Sequence, residues 1–178
     1  MKKSSLNTLV AAYKKQLDIG DIQVAYAGLV KFVMRLKIRF SKTMGDRFAF
    51  SGIFQGYMDY TYFYFANDFC RERKLKFGLV LNHDDMRFEV WLLGQTKDVQ
   101  ERYWNLLKHT EWIQGEAIPK YSIFEHVLIE RPNFDDLDAL SETIENGIVM
   151  TTDRILDSLN RIEGQEAPKT VDSTRCRA

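Results

Sequence analysis

Leu75-Lys76-Phe77-Gly78-Leu79-Val80-Leu81 and Met86-Arg87-Phe88-Glu89-Val90-Trp91-Leu92 flank Asn82-His83-Asp84-Asp85. The reading of this stretch decides the fold class. Two runs of period two separated by turn formers predict an antiparallel hairpin. Its alternation sets Leu75, Phe77, Leu79 and Leu81 toward a core with Met86, Phe88, Val90 and Leu92. Lys76, Gly78, Val80 and Asn82 then share the opposite face with Arg87, Glu89 and Trp91.

Upstream, the same period predicts strands over Phe48–Phe54 and Tyr57–Phe65, separated by Gln55-Gly56. A loop or short helical turn over Asn67–Arg73 leads into the hairpin. Before the strands the period is helical. A first helix covers residues 5–17 and ends near Gly20; Asp21 caps a longer one reaching about Met44. Ile22, Tyr26, Leu29, Val33, Leu36 and Phe40 draw its apolar stripe, while Lys31, Arg35, Arg39 and Lys42 repeat on another face. Downstream, a helix is expected from about Lys97 to His109, a loop over Gly115–Pro119 and a last strand over Ser122–Glu130. Pro132-Asn133 opens a helix that runs to about residue 162, with Gly147 as a break or kink. Gly164–Ala178 is polar and aperiodic, which predicts a disordered tail.

Four consecutive strands framed by helices predict a single α+β domain over residues 1–163. Its sheet is largely antiparallel, of four to five strands, and packs against N-terminal and C-terminal helices. A chain of 178 residues suits one such domain and buries enough surface to fold without staples. No stretch approaches about 18 uncharged apolar residues, so no membrane partner is expected. The opening Met1-Lys2-Lys3-Ser4-Ser5 leads into a helix rather than a cleavage site, which argues against a signal peptide. Cys70 and Cys176 form no disulfide framework or zinc spacing, and the expected location is cytoplasmic.

Zero net charge hides an asymmetry. Residues 1–47 carry ten Lys/Arg against three Asp, and residues 132–164 carry eight acids against two Arg. Mutual neutralisation within the fold is the favoured reading. The alternative is an anionic partner, nucleic acid being the commonest, held by Lys31, Arg35, Arg39 and Lys42; with neutral overall charge and no DNA-binding motif, it is the disfavoured one.

Chemistry-bearing patterns are few. Nine of the twenty residues Phe50–Phe69 are Phe or Tyr. Tyr60, Tyr62 and Tyr64 share one face of their strand with Met58, and such a row stacks planar ligands. The plainer expectation is a central strand covered by helices on both sides. Asp59, read as a strand residue, is expected to be partly buried and to converge with Lys76, Arg87 and Glu89. Asp59 and Glu89 are then the acid/base candidates, Arg87 an anion holder, and Tyr60, Tyr62 and Trp91 ligand-binding walls. The plainer expectation is a structural salt bridge. His83, His109 and His126 lack ligand spacing, so no metal is expected; His126 reads as a core histidine and His83 as a turn residue. Arg71, Arg73 and Lys74 beside Cys70 favour a thiolate. No phosphate loop, dinucleotide fingerprint or hydrolase elbow is present, and no cofactor is expected.

Gly20–Tyr26, Phe54–Phe63, Asn82–Leu92 and Asn133–Leu140 together resemble an uncharacterised family of bacterial proteins of about this length, a domain of unknown function. The likeness spans roughly residues 5–162. It implies one complete domain in a bacterial, cytoplasmic setting and carries no activity or assigned residue. The leading expectation is therefore a cytoplasmic binding or interaction module, with a homodimer as candidate assembly through Val80, Trp91 and Leu93. An enzyme or small-ligand pocket around Asp59, Arg87 and Glu89 is the alternative.

Overall fold

The hairpin forms where the alternation places it. In a computed structural model that describes residues 4–166, β3 (Leu75–Asn82) and β4 (Arg87–Gly94) pair antiparallel from Leu75↔Gly94 to Asn82↔Arg87. The Asn82 side-chain oxygen accepts the backbone N–H groups of Asp84 and Asp85 at 3.1 and 3.2 Å, which closes the turn. Met86 is a turn residue with φ 50° and lies exposed, not in the core as expected. Only Phe88, Val90 and Leu92 supply the inward row of β4.

Working outward, β2 (Tyr60–Ala66) pairs with β3, β1 (Ala49–Gln55) with β2, and β5 (Phe124–Ile129) with β4. The five strands lie in chain order, all antiparallel. The expected second strand begins three residues late. Residues 57–59 are a bend, closed by the Gly56 N–H donating to Tyr60 O at 2.8 Å, with Met58 at φ 63°. Asp59 consequently sits in this bend and not on the strand.

The helices are α1 (Leu6–Ile19), α2 (Asp21–Thr43), α3 (Asp68–Glu72), α4 (Lys97–Leu107) and α5 (Leu137–Glu166). Gly20, at φ 88°, is the sole residue between α1 and α2, a conformation that costs glycine least. Gly20 is therefore the N-cap of α2, and Asp21 is its first-turn acid rather than its cap. Val33, Leu36 and Phe40 of α2, Tyr103 and Leu107 of α4, and Ile144, Ile148, Ile155 and Leu159 of α5 close over Phe63, Phe65, Phe77, Leu79 and Leu92. The apolar stripe of α2 enters this core only from Leu29 onward, since Ile22 is exposed.

Three expectations for α5 change. Pro132–Asp136 precede the helix: Asn133 accepts the Asp135 N–H, and Asp136 accepts the Ala139 N–H, each at 3.1 Å. Gly147 does not interrupt the helix. A Cβ there would lie 2.8 Å from Leu128 Cδ1, so the missing side chain lets α5 settle directly onto β5. The helix also extends through Glu166, so Gly164–Glu166 are not part of a tail; residues 167–178, including Cys176, lie outside the described residues.

The opposite charges do meet. Arg39 donates to Glu145 at 2.6 Å, and Arg47 pairs with Asp153, tying α2 and the segment after it to α5. Burial pushes the Glu145 carboxyl up, but hydrogen bonds from Thr43 and Arg39 outweigh it and hold the group below its ordinary value.

Helices α2, α3, α4 and α5 pack on one face of the sheet, whereas α1 buries none of its side chains. Among the described residues no helix covers the other face, so the expectation of a two-sided cover over β2 is corrected. No helix among them is long and apolar enough to cross a membrane.

Candidate functional site

The uncovered face is built by strand parity. The register places Tyr62, Val80 and Glu89 in one cross-strand row, Tyr64, Gly78 and Trp91 in the next, and Tyr60, Asn82 and Arg87 in a third. Val80, Trp91 and Leu93 are buried, with the three half-buried tyrosines packed against them. Phe54 of β1 extends the patch, stacking on Tyr62 with ring centroids 5.2 Å apart and planes 14° apart. Tyr60 meets Trp91 edge-on at 5.2 Å. Lys76 Nζ sits 3.6 Å from the Tyr64 ring centroid, a cation–π contact.

Between these groups opens a cavity of about 340 Å³. Its floor and walls are Tyr60, Tyr62, Tyr64, Val80, Trp91 and Leu93, with Asp59, Lys76 and Tyr121 at its border. The Trp91 indole is locked from below. Its Nε1–H donates to Glu89 Oε2 at 2.6 Å, while Glu89 Oε1 accepts from Arg87 Nε at 2.5 Å and from Asn82 Nδ2 at 3.2 Å. The Glu89 side chain is 1% exposed. Arg87 reaches on to Asp85 at 3.2 Å, and Glu89 beside it raises the guanidinium further above its ordinary value.

The acid/base set anticipated from the sequence is thus divided. Asp59 lines the cavity, but its Oδ1 already accepts the Tyr60 N–H at 2.7 Å, holding the bend. Arg87 and Glu89 do not line it, although they fix the tryptophan that does. Tyr60, Tyr62 and Trp91 are brought together as wall residues. Burial raises the phenols of Tyr60 and Tyr64 and lowers the ammonium of Lys76. This leaves an aromatic bed with one carboxylate and one amine at its margin, suited to flat or apolar groups more than to proton transfer.

Tyr64 of the tyrosine row, and Val80 and Leu93 of the candidate dimer surface, join the expected walls by the same parity as Tyr62 and Trp91. Sequence reasoning missed Tyr121. Tyr121 arrives through the irregular segment before β5, where no period exists to place it.

Elsewhere, Lys31, Arg35 and Lys42 are exposed on α2, whereas Arg39 is engaged by Glu145. Burial drives the Cys70 thiol up to about 11, against the smaller opposing effects of the Asn67 hydrogen bond and Arg73, so the expected thiolate is not favoured. His83 bonds Thr61 Oγ1 at 2.8 Å and packs beside Tyr26. His126 packs edge-on against Trp112, and burial lowers both imidazoles. A larger, wide-open depression of about 720 Å³ is lined by Arg73, Arg102, Tyr103 and Glu163. Three of its polar groups engage one another: Arg73 and Tyr103 each donate to Glu163 at 2.6 Å. Among the described residues no group of three or more His, Cys, Asp or Glu is placed to hold a metal ion.

No curated protein and no solved structure matches this chain. The architecture above, from the first turn of α1 to the core turns of α5, coincides with residues 6–159, which match the model of the family described as Domain of unknown function (DUF7000); the chain belongs to that family.

Proposed function

We propose that the protein is a binding module whose working surface is the uncovered, aromatic face of the sheet. One observation carries this reading. Three tyrosines, a tryptophan and two aliphatic side chains surround a cavity of about 340 Å³ on a face that no helix of the described chain covers. Apolar patches of this kind, bordered by polar groups, mark interaction surfaces. The Arg87–Glu89–Trp91 chain supports it further, since three donors to one sealed carboxylate fix the indole before any partner arrives. Such preorganisation favours recognition of a flat or apolar group.

A small ligand seated in the cavity is the second reading, favoured by Asp59 and Lys76 at its border. An acid/base role for Glu89 is no part of it, because both carboxylate oxygens are already engaged. The test is an amide- and indole-detected NMR titration of the purified protein with planar aromatic fragments. Shifts are expected at the Trp91 indole N–H and along Tyr60–Tyr64, with loss in Tyr62→Glu. Shifts confined to residues of the helical layer would reject the assignment of this face.

A further inference from the structure

Helix α1 buries none of its side chains. Leu6, Leu9, Val10 and Tyr13 nevertheless fall on one face, at the +3 and +4 steps of an amphipathic helix. In the isolated chain they are between 53% and 75% exposed. A lone helix of this length is marginal in water, and its caps, Ser5 and Gly20, contribute on the order of 1 kcal/mol each at most. Among the described residues the chain therefore carries two apolar surfaces without a covering helix, one convex and one sheet-like.

They do not cover each other within one molecule: the α1 stripe is exposed and no α1 residue packs on the face. Helix α2 is committed to the opposite face of the sheet, and only Gly20 joins it to α1. The Gln23 side chain, donating to Leu17 O at 2.9 Å, further fixes the direction in which α1 leaves α2.

We infer that α1 of one copy docks on the uncovered sheet face of a second copy, and reciprocally, giving a two-fold dimer. The inference rests on the reading of that face as the binding surface and names its partner. The sizes agree: 14 helical residues measure about 21 Å, and strands of seven or eight residues about 23–27 Å. Two such contacts bury on the order of 1,800 Å² together, the size of a stable interface. A closed two-fold arrangement uses both surfaces and leaves neither free to propagate.

Sedimentation of the full chain up to tens of micromolar tests this, together with a photo-crosslinking phenylalanine at position 9. The expected result is a dimer, with crosslinks from position 9 to peptides of β2 or β4 in the other copy. Leu9→Glu with Tyr13→Glu should weaken association at least about 100-fold and abolish the dependence of Tm on protein concentration, while the sheet and its core stay folded, because α1 buries nothing in the monomer. Tyr62→Glu, on the face, should do the same. A monomer at every concentration overturns the inference, as does crosslinking of α1 to α1. Monomers whose α1 instead binds vesicles containing phosphatidylglycerol would assign the helix to a lipid surface and equally overturn it. In each of these cases fragment shifts at the Trp91 indole would leave the reading of the face standing, so the two failures are separable.

Discussion

Strand β2 shows two chemistries one residue apart. Phe63 and Phe65 point to the helices and are sealed. Tyr62 and Tyr64 point the other way and stay half buried, covered by Phe54, Lys76 and each other. Both rows are aromatic, so apolar periodicity alone ranks them equally. The phenolic hydroxyl separates them. A phenylalanine is fully satisfied in a dry core, whereas a tyrosine keeps one end for water or a partner.

The sharpest way to break this comparison is truncation on each side. Phe63→Ala should cost about 3–5 kcal/mol in chemical denaturation of the monomer, and Tyr62→Ala about 1 kcal/mol or less. Equal losses would show that the second face is a core in its own right. Next in size is Glu89→Gln, which removes the buried charge facing Arg87, leaves it the half-exposed Asp85, and sets an amide NH2 against at least one N–H donor. A loss of about 2–4 kcal/mol is expected. The Trp91 indole resonance should move upfield with it, and an unmoved indole would refute the locking role.

Gly147→Val sharpens the comparison from the helical side. The added carbons meet Leu128, so about 1–3 kcal/mol should be lost, read from the urea midpoint. The smallest effect concerns pH. His83 and His126 have folded values below 6.5 because burial disfavours their charged forms. Between the folded value and 6.5 the unfolded chain binds more protons, so stability falls as pH drops through that window. His83→Gln should flatten this slope in urea titrations. Glu145 and Glu163 act in a lower window: their folded values are depressed, so their contribution holds above about 4.5 and fades below it.

The sheet was largely legible in the sequence, because strict alternation over Leu75–Leu92 fixes both pairing and parity. Parity also put Arg87, Glu89 and Trp91 on one face. What escaped was backbone that breaks the period. Met58 and Met86 adopt positive φ, a conformation that methionine does not advertise, and this displaced Asp59 from its strand and Met86 from the core. The start of α5 was misread because Pro132 suits a first helical turn, whereas Asn133 closes a loop turn there and Asp136 caps the helix that begins at Leu137. The bare face escaped for another reason. Helical periodicity in residues 6–17 shows that α1 is amphipathic but not that its apolar side has no neighbour in the same chain.

The strand order has a kinetic consequence. Each strand pairs with its neighbour in sequence, so the sheet assembles by adding hairpins, and its longest closure is the segment 95–123 between β4 and β5. Closure entropy grows only logarithmically with length, and sequence-local contacts speed the search. The β3–β4 hairpin is the natural nucleus, formed on a scale of about 1–10 µs. Helix α5 comes last in the chain, yet its isoleucines complete the core begun by α2 more than a hundred residues earlier. During synthesis, then, the strands stand ready as a template whose inner side stays wet until α5 leaves the ribosome.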